Sequence, residues 1–163
     1  MVVTSYAIAL GSNRRSRHGS PAETVRAAAR AIGAERLSTI RTTPALGPAG
    51  RGFANAIAIV ESDLDPPELL AELKRIERDF GRRPGKRWGP RVLDLDIILW
   101  SGGSWASGGL VVPHPEFRSR RFVLEPLAEL APAWRDPVGG ATVRQLLALL
   151  VRGRAVDPAP AQP

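Results

Sequence analysis

An α+β fold is predicted for this chain on three observations. Two segments open with a helix-capping signature, short β-rich runs come in pairs between and after them, and at 163 residues the chain has the length of one ordinary domain. Helices separated by strand pairs call for a mainly antiparallel sheet with helices packed on its faces, close to a ferredoxin-like αβ sandwich. On this reading residues 1–152 are a single domain, and residues 153–163, rich in proline and alanine, are a disordered tail.

The elements are justified in chain order. Residues 6–10 are a short apolar run closed by Gly11-Ser12-Asn13, a buried strand entering a loop. Ser20-Pro21-Ala22-Glu23 has the form of a capping box with proline at the first helical position. Val25, Ala28, Ala29 and Ile32 form the inward stripe of that helix, and Gly33 suits the left-handed residue that ends it. Residues 36–43 and 54–61 read as strands on either side of a proline- and glycine-rich stretch. Asp65-Pro66-Pro67-Glu68 starts the clearest helix, with Leu69, Leu70, Leu73, Ile76 and Phe80 at helical spacing up to Gly81. Residues 92–100 return to strand character, and Gly102-Gly103 with Gly108-Gly109 mark a hairpin leading to residues 110–112. Helical pieces at 125–131 and 142–151 complete the pattern, which has no internal repeat.

Composition narrows the chemistry. The absence of cysteine removes disulfides and thiolate metal sites, and two histidines are too few for a His-rich one, so a metal would rest mainly on carboxylates and be a hard ion such as Mg²⁺ or Mn²⁺. The formal charge of +7 favours anionic partners without choosing among them. The N-terminal stretch lacks a basic leader and no apolar run reaches membrane-spanning length, so a soluble cytoplasmic protein with no membrane partner is the expectation.

In residues 93–99 the period of two sends Leu93, Leu95, Ile97 and Leu99 to one face of a strand and Asp94 and Asp96 to the other. The two carboxylates, attached about 7 Å apart, can bind one cation or bridge a pair lying ~4 Å apart. Such a pair is also what a solvated polar face looks like. Arg82, Arg83, Lys86, Arg87 and Arg91 precede it, leaving a positive surplus suited to a polyphosphate. No P-loop is present, and Gly11-Ser12-Asn13 is too short for a dinucleotide fingerprint, so side chains and metal would have to hold the phosphates.

Arg87-Trp88-Gly89-Pro90-Arg91-Val92-Leu93-Asp94-Leu95-Asp96-Ile97 is similar to the signature of the hydroxymethyldihydropterin pyrophosphokinases. Supporting pieces follow that family's order: Ala9 to Asn13, Thr43 to Pro48, Phe53-Ala54-Asn55, Arg75-Ile76-Glu77, Gly81-Arg82, Val112-Pro113-His114, Arg120 and Phe122. The resemblance covers residues 5 to 150 and implies pyrophosphate transfer from ATP to 6-hydroxymethyl-7,8-dihydropterin, a step of folate biosynthesis. It implies that Asp94 and Asp96 hold two Mg²⁺ ions and serve catalysis together with Arg82 and Arg91. ATP would meet Glu77, Arg82, Arg87, Trp88, Arg91, Ile97, His114 and Arg120. The pterin would meet Gly11, Thr43, Pro44, Leu46, Phe53, Asn55, Asp94 and Phe122, with Phe53 and Phe122 as the aromatic sandwich and Asn55 reading the ring edge. The segment 82–91 would be a mobile loop that closes over both ligands, carrying Trp88.

The chain departs from the family at Pro115, Gly109 and Val111, positions that concern adenosine and phosphate contacts. A monomer is expected, with association to other folate enzymes open. An RNA-binding module is the alternative from another class, and it is disfavoured because the aromatic motif of such sheets is missing and two aspartates take its place. A metal-dependent nuclease or sugar-nucleotide transferase using Asp94 and Asp96 is a third reading, which needs no pterin site.

Overall fold

The computed structural model describes residues 2–46, 51–81 and 92–153. Strand β1 (Thr4–Ser12) is followed by helix α1 (Pro21–Ala31), strands β2 (Arg36–Leu37), β3 (Arg41–Leu46) and β4 (Arg51–Ser62), and helix α2 (Pro66–Asp79). Strand β5 (Asp94–Trp100), the hairpin β6 (Trp105–Ser107) and β7 (Leu110–Val112), a single 3₁₀ turn at Phe117–Ser119, and helices α3 (Arg121–Leu130) and α4 (Val143–Val151) complete the domain. The main sheet has the order β2-β4-β1-β5, with β3 pairing the same edge of β4 further along, and every pairing in it is antiparallel. Each βαβ unit is thus split by a strand from the other, the ferredoxin-like plan the sequence predicts. No helix among the described residues is long and apolar enough to cross a membrane.

Both predicted capping boxes form. Ser20 accepts from the Glu23 N–H and Asp65 from the Glu68 N–H, while each glutamate returns a bond to the cap backbone. A third forms at Thr142 and Gln145 and starts α4. Such caps contribute about 1 kcal/mol each and fix where the chain turns into a helix.

The sheet buries both faces. Tyr6, Ile8, Leu10, Ala56, Ala58 and Leu95 pack on one side against Val25 and Ala28 of α1 and Leu69, Leu73 and Ile76 of α2. Ala7, Ile57, Ile59 and Leu99 pack on the other against Val123, Leu124 and Leu127 of α3 and Val143 and Leu146 of α4. Leu99 therefore departs from the strict alternation that would place it with Leu93, Leu95 and Ile97. The register with β1 slips between Ala7 and Ile8, leaving one extra residue in β5, so that Ile98 and Leu99 both turn toward α3.

Two boundaries also differ from expectation. The strand predicted over 36–43 is interrupted because Ser38 pairs with Ile57 through its hydroxyl, which accepts the Ile57 N–H at 2.9 Å, as well as through its own N–H. Helix α3 starts at Arg121 rather than 125; its N-cap, Arg120, makes no side-chain cap bond, so no polar signature marks the start. The proposed tail from 154 onward lies outside the described residues.

Candidate active site

Helices α3 and α4 cover only part of their face of the sheet. Where α3 begins, the face opens into a cleft of about 570 Å³. Its floor is a cross-strand row: Arg41 stands opposite Asn55, Asn55 opposite Gly11, and Gly11 opposite Asp94. One row along, Thr43 pairs with Phe53, and in the other direction Asp96 pairs with Ala9, which pairs with Ile57. Directly opposite residues share a face, so sheet register alone brings Asn55, Gly11, Asp94 and Asp96 into one site. A Cβ on Gly11 would lie 3.1 Å from Asn55 Oδ1, which explains a glycine in the middle of this floor.

The walls are aromatic. Phe53 on β4 and Phe122 in the first turn of α3 both line the cleft, and they are 48% and 50% exposed. Two half-open phenyl rings facing a cavity are costly unless a flat apolar surface covers them. The Arg120 guanidinium lies 5.7 Å from the Phe122 ring centre and is ion-paired to Glu116.

Asp94 is half-buried and Asp96 exposed, both on the cleft side of β5. Among the described residues β5 is an edge strand, and two backbone groups on its outer side are held by means other than strand pairing. The Ile98 carbonyl accepts the His114 N–H at 3.0 Å. The Leu95 N–H, between the two aspartates, donates at 2.7 Å to Oε2 of Glu77, a carboxylate 1% exposed whose Oε1 faces Lys74 at 3.5 Å.

Burial pushes the His114 imidazole below its ordinary pKa; Asp96 pulls against that shift and Arg120 adds to it. Its Nδ1 accepts the Glu116 N–H at 3.1 Å, so the neutral ring carries its proton on Nε2 and offers a donor there.

Of the residues singled out from sequence, Gly11, Thr43, Phe53, Asn55, Asp94, Asp96, Arg120 and Phe122 meet in this cleft. His114 lies beside it, close enough to Asp96 and Arg120 to feel their charges. Glu77 and Ile97 are elsewhere: both side chains are buried, and Ile97 packs in the core on the α1 and α2 side. Pro44 and Leu46 lie in β3, but their side chains, with Arg82, Arg87, Trp88 and Arg91, fall outside the described residues. Ile98 and Val123 line the cleft without having been singled out. Ile98 shares the period-two face of Asp94 and Asp96, the signal that would have found it.

Two carboxylates supply the hard oxygen donors that suit Mg²⁺. No cluster of three or more metal-ligating side chains occurs among the described residues. A cation here would complete its shell with water and ligand oxygens, which is how Mg²⁺ is commonly held beside phosphates.

A cleft that joins paired carboxylates to two open aromatic rings suits a flat small molecule held beside a hard cation. Residues 7–132 match the family model of 7,8-dihydro-6-hydroxymethylpterin-pyrophosphokinase. A 2-amino-4-hydroxy-6-hydroxymethyldihydropteridine pyrophosphokinase of Pseudomonas aeruginosa is 41% identical over 141 residues, covering 81% of this chain and 83% of that protein. The corresponding Synechocystis enzyme is 43% identical over 116 residues, 71% of this chain and 60% of its own length. The crystal structure of Plasmodium falciparum HPPK-DHPS superposes with a TM-score of 0.71 at 13% identity, covering 93% of this chain and 42% of that one, a likeness of fold. The chain belongs to the 7,8-dihydro-6-hydroxymethylpterin-pyrophosphokinase family.

Proposed function

We propose that this protein transfers pyrophosphate from ATP to 6-hydroxymethyl-7,8-dihydropterin, yielding AMP and the pterin diphosphate in folate biosynthesis. The observation that carries the reading is the placement of two half-exposed phenyl rings over a floor where Asn55 and Asp94 stand in one row. A pterin is a flat bicycle with an amide-like edge, and it needs two stacking faces and an in-plane hydrogen-bonding partner. Phe53 and Phe122 offer the faces, and Asn55, with backbone groups near Thr43, Pro44 and Leu46, offers the edge contacts.

With the ring so held, its hydroxymethyl group points along the row toward Asp94. The hydroxyl oxygen attacks the β-phosphorus of ATP, the bond from that phosphorus to the oxygen bridging to the α-phosphate breaks, AMP departs with that oxygen, and the hydroxyl proton passes to solvent water. Asp94 and Asp96 would hold Mg²⁺, two ions on this reading, which neutralises phosphate charge and orients the donor. His114 presents Nε2–H and Arg120 its guanidinium to phosphate oxygens. On this reading Arg82, Arg87, Trp88 and Arg91 complete the ATP-binding set. No side chain of the cleft is assigned as general base, in keeping with a reaction in which positioning and charge stabilisation do most of the catalysis.

Glu77, placed with the ATP-binding set by the resemblance, also fixes the backbone between the two aspartates. The likeness to a folate synthesis bifunctional protein of Arabidopsis thaliana, 42% identical over 125 residues, supports association with another folate enzyme.

The test is incubation with ATP, Mg²⁺ and the reduced hydroxymethylpterin, followed by product separation. AMP and pterin diphosphate are expected in equal amounts. ADP or inorganic phosphate as the nucleotide-derived product would refute the assignment.

A further inference from the structure

Helix α3 carries one wall of the cleft, yet little within the helix holds its first turn. The N-cap makes no side-chain bond, and Pro126 lacks the N–H that would close back onto the Phe122 carbonyl. The restraint comes from outside, first from Val123 and Leu124 buried against the sheet and then from polar contacts further along the helix. Glu129 Oε2 accepts from the Thr39 N–H at 2.9 Å and from the Thr39 hydroxyl at 3.1 Å, while Glu129 Oε1 meets Arg41 Nη2 at 3.4 Å. Arg41 Nη1 lies 3.6 Å from Glu125 Oε1, and Glu125 Oε2 accepts from Arg121 Nε at 2.8 Å. Three successive turns of α3 are thereby linked to the junction of β2 and β3. That junction leads directly to Arg41, opposite Asn55, and to Thr43, opposite Phe53.

We propose that Glu129, acting with Thr39 and Arg41, is a positioning residue that sets the width of the slot between Phe53 and Phe122 and so the affinity for the pterin ring. The inference rests on the pterin reading above. A ring stacked between two phenyls requires them roughly 7 Å apart, one carbon contact distance on each side. Widening the slot by 0.5–1 Å forfeits about a quarter to a half of the contact attraction. The same clamp adds little to folding, because its ion pairs are partly exposed, with side chains 34% to 38% accessible. Affinity for the ring and stability of the fold should therefore respond differently when it is broken.

The experiment is a fluorescence titration of 6-hydroxymethylpterin into wild type, Glu129→Ala and Glu129→Gln. It is run with Mg²⁺ and a non-hydrolysable ATP analogue, alongside thermal melts and analogue affinities. Glu129→Ala should weaken pterin binding about tenfold, with the melting temperature and analogue affinity nearly unchanged. Glu129→Gln keeps an oxygen for Thr39 and should recover most of the loss. The proposal is overturned if Glu129→Ala binds pterin within twofold of wild type, or if pterin affinity, analogue affinity and stability fall together. If wild type itself fails to bind the pterin, the substrate reading fails and takes this inference with it, an outcome readily told from wild-type binding that Glu129→Ala retains.

Discussion

Replacing Glu77 by alanine removes the acceptor for the Leu95 N–H, a bond of 2.7 Å to a carboxylate that is 1% exposed. A hydrogen bond to a charged group contributes about 1.5–3 kcal/mol, and a buried N–H left unpaired costs about as much as the bond was worth. The lost methylene adds ~0.8 kcal/mol, and the ion pair with the exposed Lys74 adds at most about 1. A loss of roughly 3 kcal/mol follows, which for a domain of this size lowers the melting temperature by about 6–12 °C. Glu77→Gln keeps an acceptor oxygen and should lose no more than about a third of that. Because the freed N–H lies between Asp94 and Asp96, Glu77→Ala should also lower kcat/KM at temperatures where it remains folded, and more than Glu77→Gln does. Thermal melts and steady-state kinetics on the two variants measure both. Equal melting temperatures for the two, or full activity in Glu77→Ala, would show that the buried carboxylate does not organise β5.

Asp94→Asn and Asp96→Asn should each cut Mg²⁺-dependent turnover by at least about 100-fold while the far-ultraviolet circular dichroism stays unchanged; near-normal turnover would remove them from the metal site. Gly11→Ala places a Cβ 3.1 Å from Asn55 Oδ1 and should raise the pterin KM about tenfold, with the ATP KM within twofold in steady-state kinetics. A pH prediction rests on Asp136, 2% exposed, whose carboxyl burial tends to raise but which the Arg118 hydrogen bonds and the Val138 N–H hold below its ordinary value. A depressed carboxyl contributes stability that is complete above its unfolded pKa of about 4 and lost as pH falls through the lower folded value. Asp136→Asn should therefore cost about 1.5–3 kcal/mol at neutral pH, by weakening the charge-assisted hydrogen bonds to Arg118, and flatten the acid limb of a urea-denaturation series; an unchanged acid limb would show that this pair does not set it.

The parts of the fold written in local chemistry were legible in the sequence. Ser20, Asp65 and their partner glutamates mark two helix starts to the residue, and the alternation around Asp94 and Asp96 places both on one face. What was not legible depends on partners distant in sequence. The extra residue in β5 that turns Leu99 over is defined only by its pairing with Ala7 and Ile8, and the break at Ser38 only by Ile57. Helix α3 begins without a polar cap, so nothing local announces it. In the site, resemblance pointed to Phe53, Asn55 and Phe122 but not to their spacing, and it pointed to Glu77 without showing that its carboxylate also holds the β5 backbone. The Glu129 contacts join residues about ninety positions apart and have no signature at either end.

The floor row from Asn55 through Gly11 to Asp94 crosses two interstrand gaps. Those gaps are set by backbone hydrogen bonding at ~4.8 Å each, so the two side chains are rooted ~9.6 Å apart whatever their neighbours are. The sheet is in effect a ruler laid between the point where a substrate is gripped and the point where it reacts. A bicyclic ring carrying its alcohol on the side away from the gripped edge spans that length. A single pyrimidine ring held by the same asparagine would leave its alcohol about one ring's width short of the carboxylates. Enlarging the rings or widening the slot would not change this measure, because no side chain sets it, and selectivity for substrate length should survive changes that abolish tight stacking.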